Sequence, residues 1–443
     1  MKTTLSTFIL WVVLLTGFFA KAQCPTNLYF FSQTDVDNFA ANYPGCTQIT
    51  GDLNIEGNNI TSLDGLNGLT HVGGRLQIIG ADNLTNVDGL SSLVQIGTYI
   101  DIYLNDSLTN LSGLGNIVFQ PSFWSIVLEA NPNLSVCNVP NFCRYFANPS
   151  TFSYITGNAV GCATVPQLRS SCISPDANGI LYVKKGATGS GASWTDALGE
   201  VSEAFAEAQT DLSITQIWVD KGTYSATGTG LRMRNNLQIY GGFDPDNGIV
   251  DLTDKRISPS ATTGSILTGD NVRRVVTNIF TPGNTLNDTA VLNGFTITQG
   301  NPTHTDSPSD TADSGGGIIN QYASPKLVNL FVFDNYAHDR GGGIYNGNSS
   351  AALVNTVVTR NSSQYSGGGI YNFYAPVKII NSTIAHNHSE RVGGVRNLGL
   401  ESQVVMTNSI VSGNTKTAND PENVNLSNLG GATITYHHSF VQQ

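Results

Sequence analysis

Between residues 315 and 414 the chain repeats itself with a step that leaves few folds open. GGGIIN begins at Gly315, GGGIYN at Gly341 and again at Gly367, and a worn copy, GGVRN, begins at Gly393; the first three starts lie 26 residues apart. A second phrase keeps step: VNLFVFDN ends at Asn335, VNTVVTRN at Asn361, INSTIAHN at Asn387 and TNSIVSGN at Asn414, with spacings of 26, 26 and 27. A fixed period in this range means stacked supersecondary units, none of which can bury its apolar face alone. The unit carries no helical periodicity. Its short runs alternate with period two, as Leu353, Asn355, Val357 and Thr359 against Val354, Thr356, Val358 and Arg360, and Gly and Asn break them. That pattern predicts strands joined by tight turns.

A coil of this length predicts a parallel β-helix, each coil ~4.8 Å above the last and every strand paired with its copy in the next coil. The glycines become corners, supplying positive φ and close backbone approach. The repeated asparagines, 329/355/381/408 and 335/361/387/414, become inward ladders of amide on amide.

The chain is 443 residues long, enough for two or three domains. Lys2 precedes the apolar run FILWVVLLTGFFA (8–20), and Ala20-Lys21-Ala22 reads as a cleavage site, so residues 1–22 read as a secretory signal and Gln23 as the mature start. The run is too short to span a bilayer, no other is long enough, and Lys-Ala-Gln before Cys24 is a poor lipoprotein box. All six cysteines, Cys24, Cys46, Cys137, Cys143, Cys162 and Cys172, fall in the first 172 residues. An even number confined to one part of an exported chain reads as a disulfide-stapled domain ending near residue 172. Six cysteines allow fifteen pairings; Cys24–Cys46, Cys137–Cys162 and Cys143–Cys172 are the expected ones. A net charge of −11, with 12% of residues charged, argues against nucleic acid and anionic membranes as partners.

The stapled part has its own repeat. LDGLNGLTHVGGRLQIIGADNLTN (63–86) is followed by VDGLSSLVQIGTYIDIYLNDSLTN (87–110), a period of 24 with Gly65, Gly89 and Gly113 in register. The pattern L-x-x-L-x-x-I-x-G-x-L-x-I resembles leucine-rich-repeat solenoids, and more closely the receptor L domain of growth-factor-receptor ectodomains. The resemblance implies that residues 23–172 form a protein-binding or packing module without chemistry of its own, its Cys-rich tail shielding the open end. ISPDANG (173–179) reads as a linker. Beyond it, ILYVKKGATGSGASWTDAL, the helical SEAFAEAQ (202–209), QIWVDKGTYS and LQIYGGF follow in order. That order resembles the N-terminal cap of right-handed parallel β-helix proteins of the pectin-lyase-like superfamily, more closely secreted ones of Bacteroidetes bacteria. It implies a cap over 180–236, whose helix plugs the coil, and coils over 237–443. The expected fold is therefore an all-β solenoid: a leucine-rich-repeat-like solenoid, then a right-handed parallel β-helix with a helical N-terminal cap.

The step from Asn293 to Asn329 is 36, and the ten extra residues fall in PTHTDSPSDTADS (302–314), which reads as an exposed loop. GGATITYHHSFVQQ (430–443) reads as a live strand with no cap after it. In the resembled family further coils and a sorting domain follow, so the chain is expected to continue past Gln443; self-association through the open edge is the alternative.

Stacking turns sequence columns into surface columns. Asp334, Arg360 and His386, followed by Gly413, are expected to point outward in one line, either as a proton-transfer or sugar-binding site or as plain cross-strand charge pairing. Ile319, Tyr345, Tyr371 and Arg396 form a column whose tyrosines, if exposed, offer a flat platform for a sugar ring, and otherwise stiffen the coil by stacking. His338, Gln364 and Glu390 add polar groups beside the glycine corner. Asp244, Asp246 and Asp251 lack calcium-loop spacing; Asp306, Asp310 and Asp313 could hold calcium, though solvated loop acids are the plainer reading. His386 with His388, and His437 with His438, supply no third metal ligand. The polygalacturonase signatures of the resembled superfamily are absent: there is no Asp-Asp pair and no Gly-His-Gly. The expected function is a secreted or cell-surface binding protein, without cofactor, that meets a polysaccharide or surface protein. The alternative is a polysaccharide lyase or glycoside hydrolase using Asp334, Arg360 and His386. A purely structural spacer is the third reading.

Overall fold

Strands that recur at one-repeat intervals can satisfy their backbone groups by pairing with their own copies, and this chain does so in parallel throughout. The structure, a computed structural model, describes residues 24–147, 151–302, 312–419 and 421–442. The expected signal segment, Gln23, Asp306 and Asp310 lie outside the described residues. The chain divides into two compact units, residues 1–168 and 169–443.

In the second unit three long parallel sheets stack coil on coil. One has nine strands, from Ile180–Val183 to Thr433–His437; one has eight, from Gly222–Ser225 to Phe440–Val441; one has six, from Val276–Ile279 to Leu426–Leu429. A narrower ladder links Tyr336–Ala337, Ser362–Ser363, His388–Ser389 and Thr415–Lys416. The register follows the repeat. Leu327 pairs with Leu353, then Ile379, then Met406; Val332 with Val358, Ile384 and Val411; Ile344 with Ile370 and Val395. These three aliphatic columns are fully buried and fuse into one core. Helix Val201–Thr210 adds Val201, Ala204, Phe205 and Ala208 to that core.

Amides fill the corners of the coil. Asn335 Nδ2 donates to Asn361 Oδ1 (2.8 Å), Asn361 to Asn387 (3.0 Å), Asn387 to Asn414 (3.0 Å) and Asn414 to Asn425 (2.9 Å), all buried. A second interior ladder, unforeseen, runs from Asn278 through Asn320, Asn346 and Asn372 to Asn397 and ends on the exposed Asn428, at 2.7 to 3.0 Å per step. The row 329/355/381/408 does not turn inward. These four residues are left-handed, with φ between +48° and +52°, and three of the four are exposed. A left-handed corner reverses the side-chain direction, and Asn tolerates it better than other L residues. The buried place after the corner goes to Thr356, Ser382 and Ser409, whose hydroxyls stack from coil to coil: the backbone N–H of Thr356 donates to Ser382 Oγ, and that of Ser382 to Ser409 Oγ (3.1 Å each).

The triple glycines divide two tasks. The first of each triplet is left-handed, with φ +70° at Gly315 and +67° at Gly341 and Gly367. The second needs space: a Cβ on Gly342 would lie 2.1 Å from the Ser362 carbonyl oxygen.

The first unit stacks six parallel strands: Leu28–Phe30, Leu53–Glu56, Leu76–Ile79, Tyr99–Tyr103, Ser125–Glu129 and Phe152–Thr156. Leu53, Leu76, Ile100 and Ile126 form one inward column and Ile55, Ile78, Ile102 and Leu128 another. Short 3-10 turns, Asp64–Leu66, Asp88–Leu90 and Ser112–Leu114, stack on the opposite side, so close that a Cβ on Gly89 would meet the Leu63 carbonyl oxygen at 2.0 Å. Asn105, Asn131 and Asn158 make a third amide ladder at 3.0 Å per step. Disulfides join Cys24 to Cys46 and Cys137 to Cys162; Cys143 and Cys172 are also disulfide-bonded, and no cysteine is free.

Candidate functional site

The column Asp334, Arg360, His386 and Gly413 faces outward, for a reason the alternation rule did not contain: each residue is a left-handed corner, φ +52° to +64°. Arg360 Nη2 meets Asp334 Oδ2 at 2.9 Å, with the arginine side chain 66% exposed. An exposed pair of this kind is worth at most about 1 kcal/mol. His386 is exposed and has no hydrogen bond or ion pair to either among the described residues. The three side chains share a surface line, and only the first two are joined.

The tyrosine platform is corrected by the structure. Tyr345 and Tyr371 stack with rings 5.8 Å apart and nearly parallel, but each is only 2% exposed and Arg396 only 5%. Their face of the sheet does point away from the coil core; the neighbouring loops fold back over it. Arg340 lies 5.4 Å from the ring centres of both Tyr371 and Tyr365, and Arg391 lies 5.0 Å from Tyr365. Arg396 is held by Glu422 and Ser427. The rings are therefore a second small core, roofed by Arg340 and Tyr365, and no sugar can stack on them as they stand. Burial raises the Tyr371 hydroxyl above its ordinary value, as expected of a phenol without water. His338, Gln364 and Glu390 are exposed in three successive coils, as a polar column should be.

The acidic candidates are engaged elsewhere. Asp244 accepts from Lys221 Nζ (2.6 Å) and Asn247 Nδ2 (2.8 Å), and Asp246 from Lys184 Nζ (2.6 Å). Asp313 lies beside the buried Arg274, whose pKa burial depresses to about 10 and Asp313 holds up. Among the described residues no cluster of three His, Cys, Asp or Glu side chains is placed to hold a metal.

Two features escaped sequence reasoning. The first is an open cleft of about 470 Å³ whose wall includes Arg256, Asn293, Asn329, Asn355 and Phe331. Arg256 stands against Tyr240 at 5.3 Å and donates to Gly241 O (2.8 Å) and Asn293 Oδ1 (3.0 Å). Asn329 donates in turn to Asn293 (3.1 Å) and Asn355 to Asn329 (3.3 Å), so the outward amides form one hydrogen-bonded rail. The signal was present in the 26-residue step from Asn329 to Asn355; their outward direction was not. The second is a carboxylate pair on QIWVDK and FDPDN. Asp220 is 4% exposed; burial pushes its carboxyl up to about 6, opposed by the Lys221 backbone N–H and reinforced by the Asp244 charge. Asp244, buried too, is nevertheless drawn below the usual carboxylate range by Lys221 and Asn247.

Because the folded Asp220 pKa lies above its unfolded value, its protonation stabilises the fold fully below pH about 4, and that stabilisation is lost as pH rises through about 6. Asp220→Asn is expected to raise stability at pH 7 by up to about 3 kcal/mol and to flatten the denaturation midpoint between pH 4 and 7. Urea melts of both proteins across that range check it.

Compared with protein-family models, curated proteins and solved structures, the chain matches none of them. Among the described residues no helix is long and apolar enough to cross a membrane.

Proposed function

We propose that this protein is an exported, non-catalytic binding protein, made of two solenoids that offer repeated surface rows to a glycan or protein partner. The observation that carries the reading is the outward amide rail of Asn293, Asn329 and Asn355 along an open cleft, with Arg256 at one end and Phe331 in the wall. Side-chain amides offer a donor and an acceptor each, and a rail of them beside an aromatic edge suits a ligand with polar edges and apolar faces. The six paired cysteines fit export, and residues 1–22 read as the signal. In the same reading residues 23–172 are a leucine-rich-repeat or receptor-L-domain-like module, and 180–443 a right-handed, pectin-lyase-like β-helix plugged by helix Val201–Thr210.

A polysaccharide lyase or hydrolase is the second reading. Asp220 and Asp244 favour it, since carboxyls driven apart in pKa are what acid–base chemistry uses. Both are buried, at 4% and 5% exposure, which favours binding over turnover. A glycan array with a polysaccharide-digestion screen, run with and without calcium, separates the two. Binding without products is expected. Unsaturated or reducing-end products that vanish in Asp220→Ala, Asp334→Ala or Arg360→Ala would overturn the binding reading.

A further inference from the structure

The first unit carries an exposed aromatic surface on the outer face of its sheet. Tyr99, Ser125 and Phe152 occupy one register row across three strands, and Trp124 precedes Ser125. The rings form a line: Tyr99 to Trp124, 6.1 Å between centres, and Trp124 to Phe152, 6.2 Å. Trp124 is 66% exposed, Phe152 64% and Tyr154, on the same outer face, 52%. Large apolar side chains gathered on one face mark an interaction site, whereas scattered ones do not. The strip is also anchored from beneath. The buried Tyr145 hydroxyl donates to the Phe152 carbonyl at 2.7 Å and lies 3.2 Å from the Trp124 carbonyl, tying the two backbones that hold the rings.

Polar groups border the strip. A depression of about 400 Å³ beside Tyr99 is lined by Asp52, Arg75, Thr98 and Asp101. Arg75 Nη1 lies 3.6 Å from Asp101 Oδ2, and the buried Arg75 Nε has no hydrogen-bond partner among the described residues. Gln77, next to Asp101 in the register, donates to the Tyr103 hydroxyl at 2.9 Å. An apolar protein or lipid surface laid here would strip water from Arg75 and Asp101 without replacing their hydrogen bonds, at a cost of a few kcal/mol. A sugar chain meets both demands: its ring faces are apolar and its edges carry hydroxyls. Arg75 and Asp101 offset each other's charge, which suits a neutral sugar better than a uronate.

We propose that the outer face of this sheet binds a neutral polysaccharide, its rings lying over Trp124 and Phe152 and its hydroxyls meeting Arg75 and Asp101. This rests on the reading of the chain as a binding protein and places a glycan site in the first unit. The test is electrophoresis of the full chain in native gels containing a neutral β-glucan, with polygalacturonate gels beside them. The β-glucan slows the protein, and Trp124→Ala and Phe152→Ala each weaken that retardation roughly tenfold or more without moving the melting temperature, because both rings are exposed. Retardation that both variants retain overturns the strip and leaves the binding reading to the amide rail. Retardation by polygalacturonate alone overturns the neutral-sugar assignment, and retardation by neither polymer overturns the glycan. A dimer in light scattering that Trp124→Ala converts to monomer makes the strip an interface between copies and also overturns it. Cleavage of the β-glucan would instead sink the binding reading itself.

Discussion

Asn361→Asp is expected to destabilise the second unit by more than about 4 kcal/mol at pH 8, and by clearly less at pH 4. Asn361 stands in mid-ladder and is 1% exposed. Its Oδ1 accepts from the backbone N–H of Asn335 (3.1 Å) and from Asn335 Nδ2 (2.8 Å). Its Nδ2 donates to Val332 O (2.9 Å) and to Asn387 Oδ1 (3.0 Å). Aspartate keeps the acceptor and replaces the donor with a second oxygen facing those two acceptors. The carboxylate is then buried, repelled and unpaired, so its pKa rises. Protonation restores one donor, so stability is regained as pH falls through the raised pKa and lost as it rises. Asn361→Ala is the pH-independent comparison. It leaves the Asn335 N–H unmet, at about 1–3 kcal/mol, while Asn335 Nδ2 keeps the Ile297 and Phe333 carbonyls. Urea melts followed by circular dichroism at pH 4 and pH 8 check the pair. Equal losses for Asp at both pH values would show that the ladder is wetter than its burial implies.

The Asn335/361/387/414 ladder was legible from its constant step, not from alternation, which slips at the left-handed residue before each asparagine: Val358 and Asn361 are buried and Arg360 between them is exposed. The outward row Asn329/355/381/408 obeyed the same step and was assigned the wrong face. Leu353 is buried, Asn355 exposed, and Thr356 and Val358 buried again, so the alternation slips by one at the left-handed residue. Periodicity counts residues; it does not count a corner that reverses side-chain direction without adding a residue. The tyrosines failed for a different reason. The constant step put Tyr345 and Tyr371 in one column, but whether a column is wet depends on what folds over it. The covering residues, Arg340 and Tyr365, lie outside the repeated phrases that the column was read from. In the first unit, Tyr99, Trp124 and Phe152 come from coils of unequal length and share no phrase, so no column in the sequence announced them. Their alignment is created by strand register alone.

Gly342→Ala is expected to cost more than about 3 kcal/mol, above the common range for overpacking, because the atoms it meets cannot rotate away. The added Cβ would lie 2.1 Å from the Ser362 carbonyl oxygen, 2.5 Å from its carbonyl carbon and 2.6 Å from the Gly368 carbonyl oxygen. All three are backbone of the adjacent coil, and each strand beside them is fixed by parallel pairing on both sides. Relief requires the coils to separate locally. That stretches the Gly342 N–H to Gly367 O and Gly343 N–H to Gly368 O bonds, now 3.2 and 3.0 Å, and loosens the Asn346 to Asn372 amide step a few residues on. Gly283→Ala is the control, since nothing lies within 4 Å of a Cβ there, and its midpoint should stay within about 0.5 kcal/mol of the parent. A Gly342→Ala midpoint as close to the parent as this would mean that the coils can move apart freely. The same tightness explains why the chain places glycine here in three successive repeats. The parallel pairing that builds the sheets brings neighbouring backbones to van der Waals contact at this corner, and a side chain of any size would break the stack.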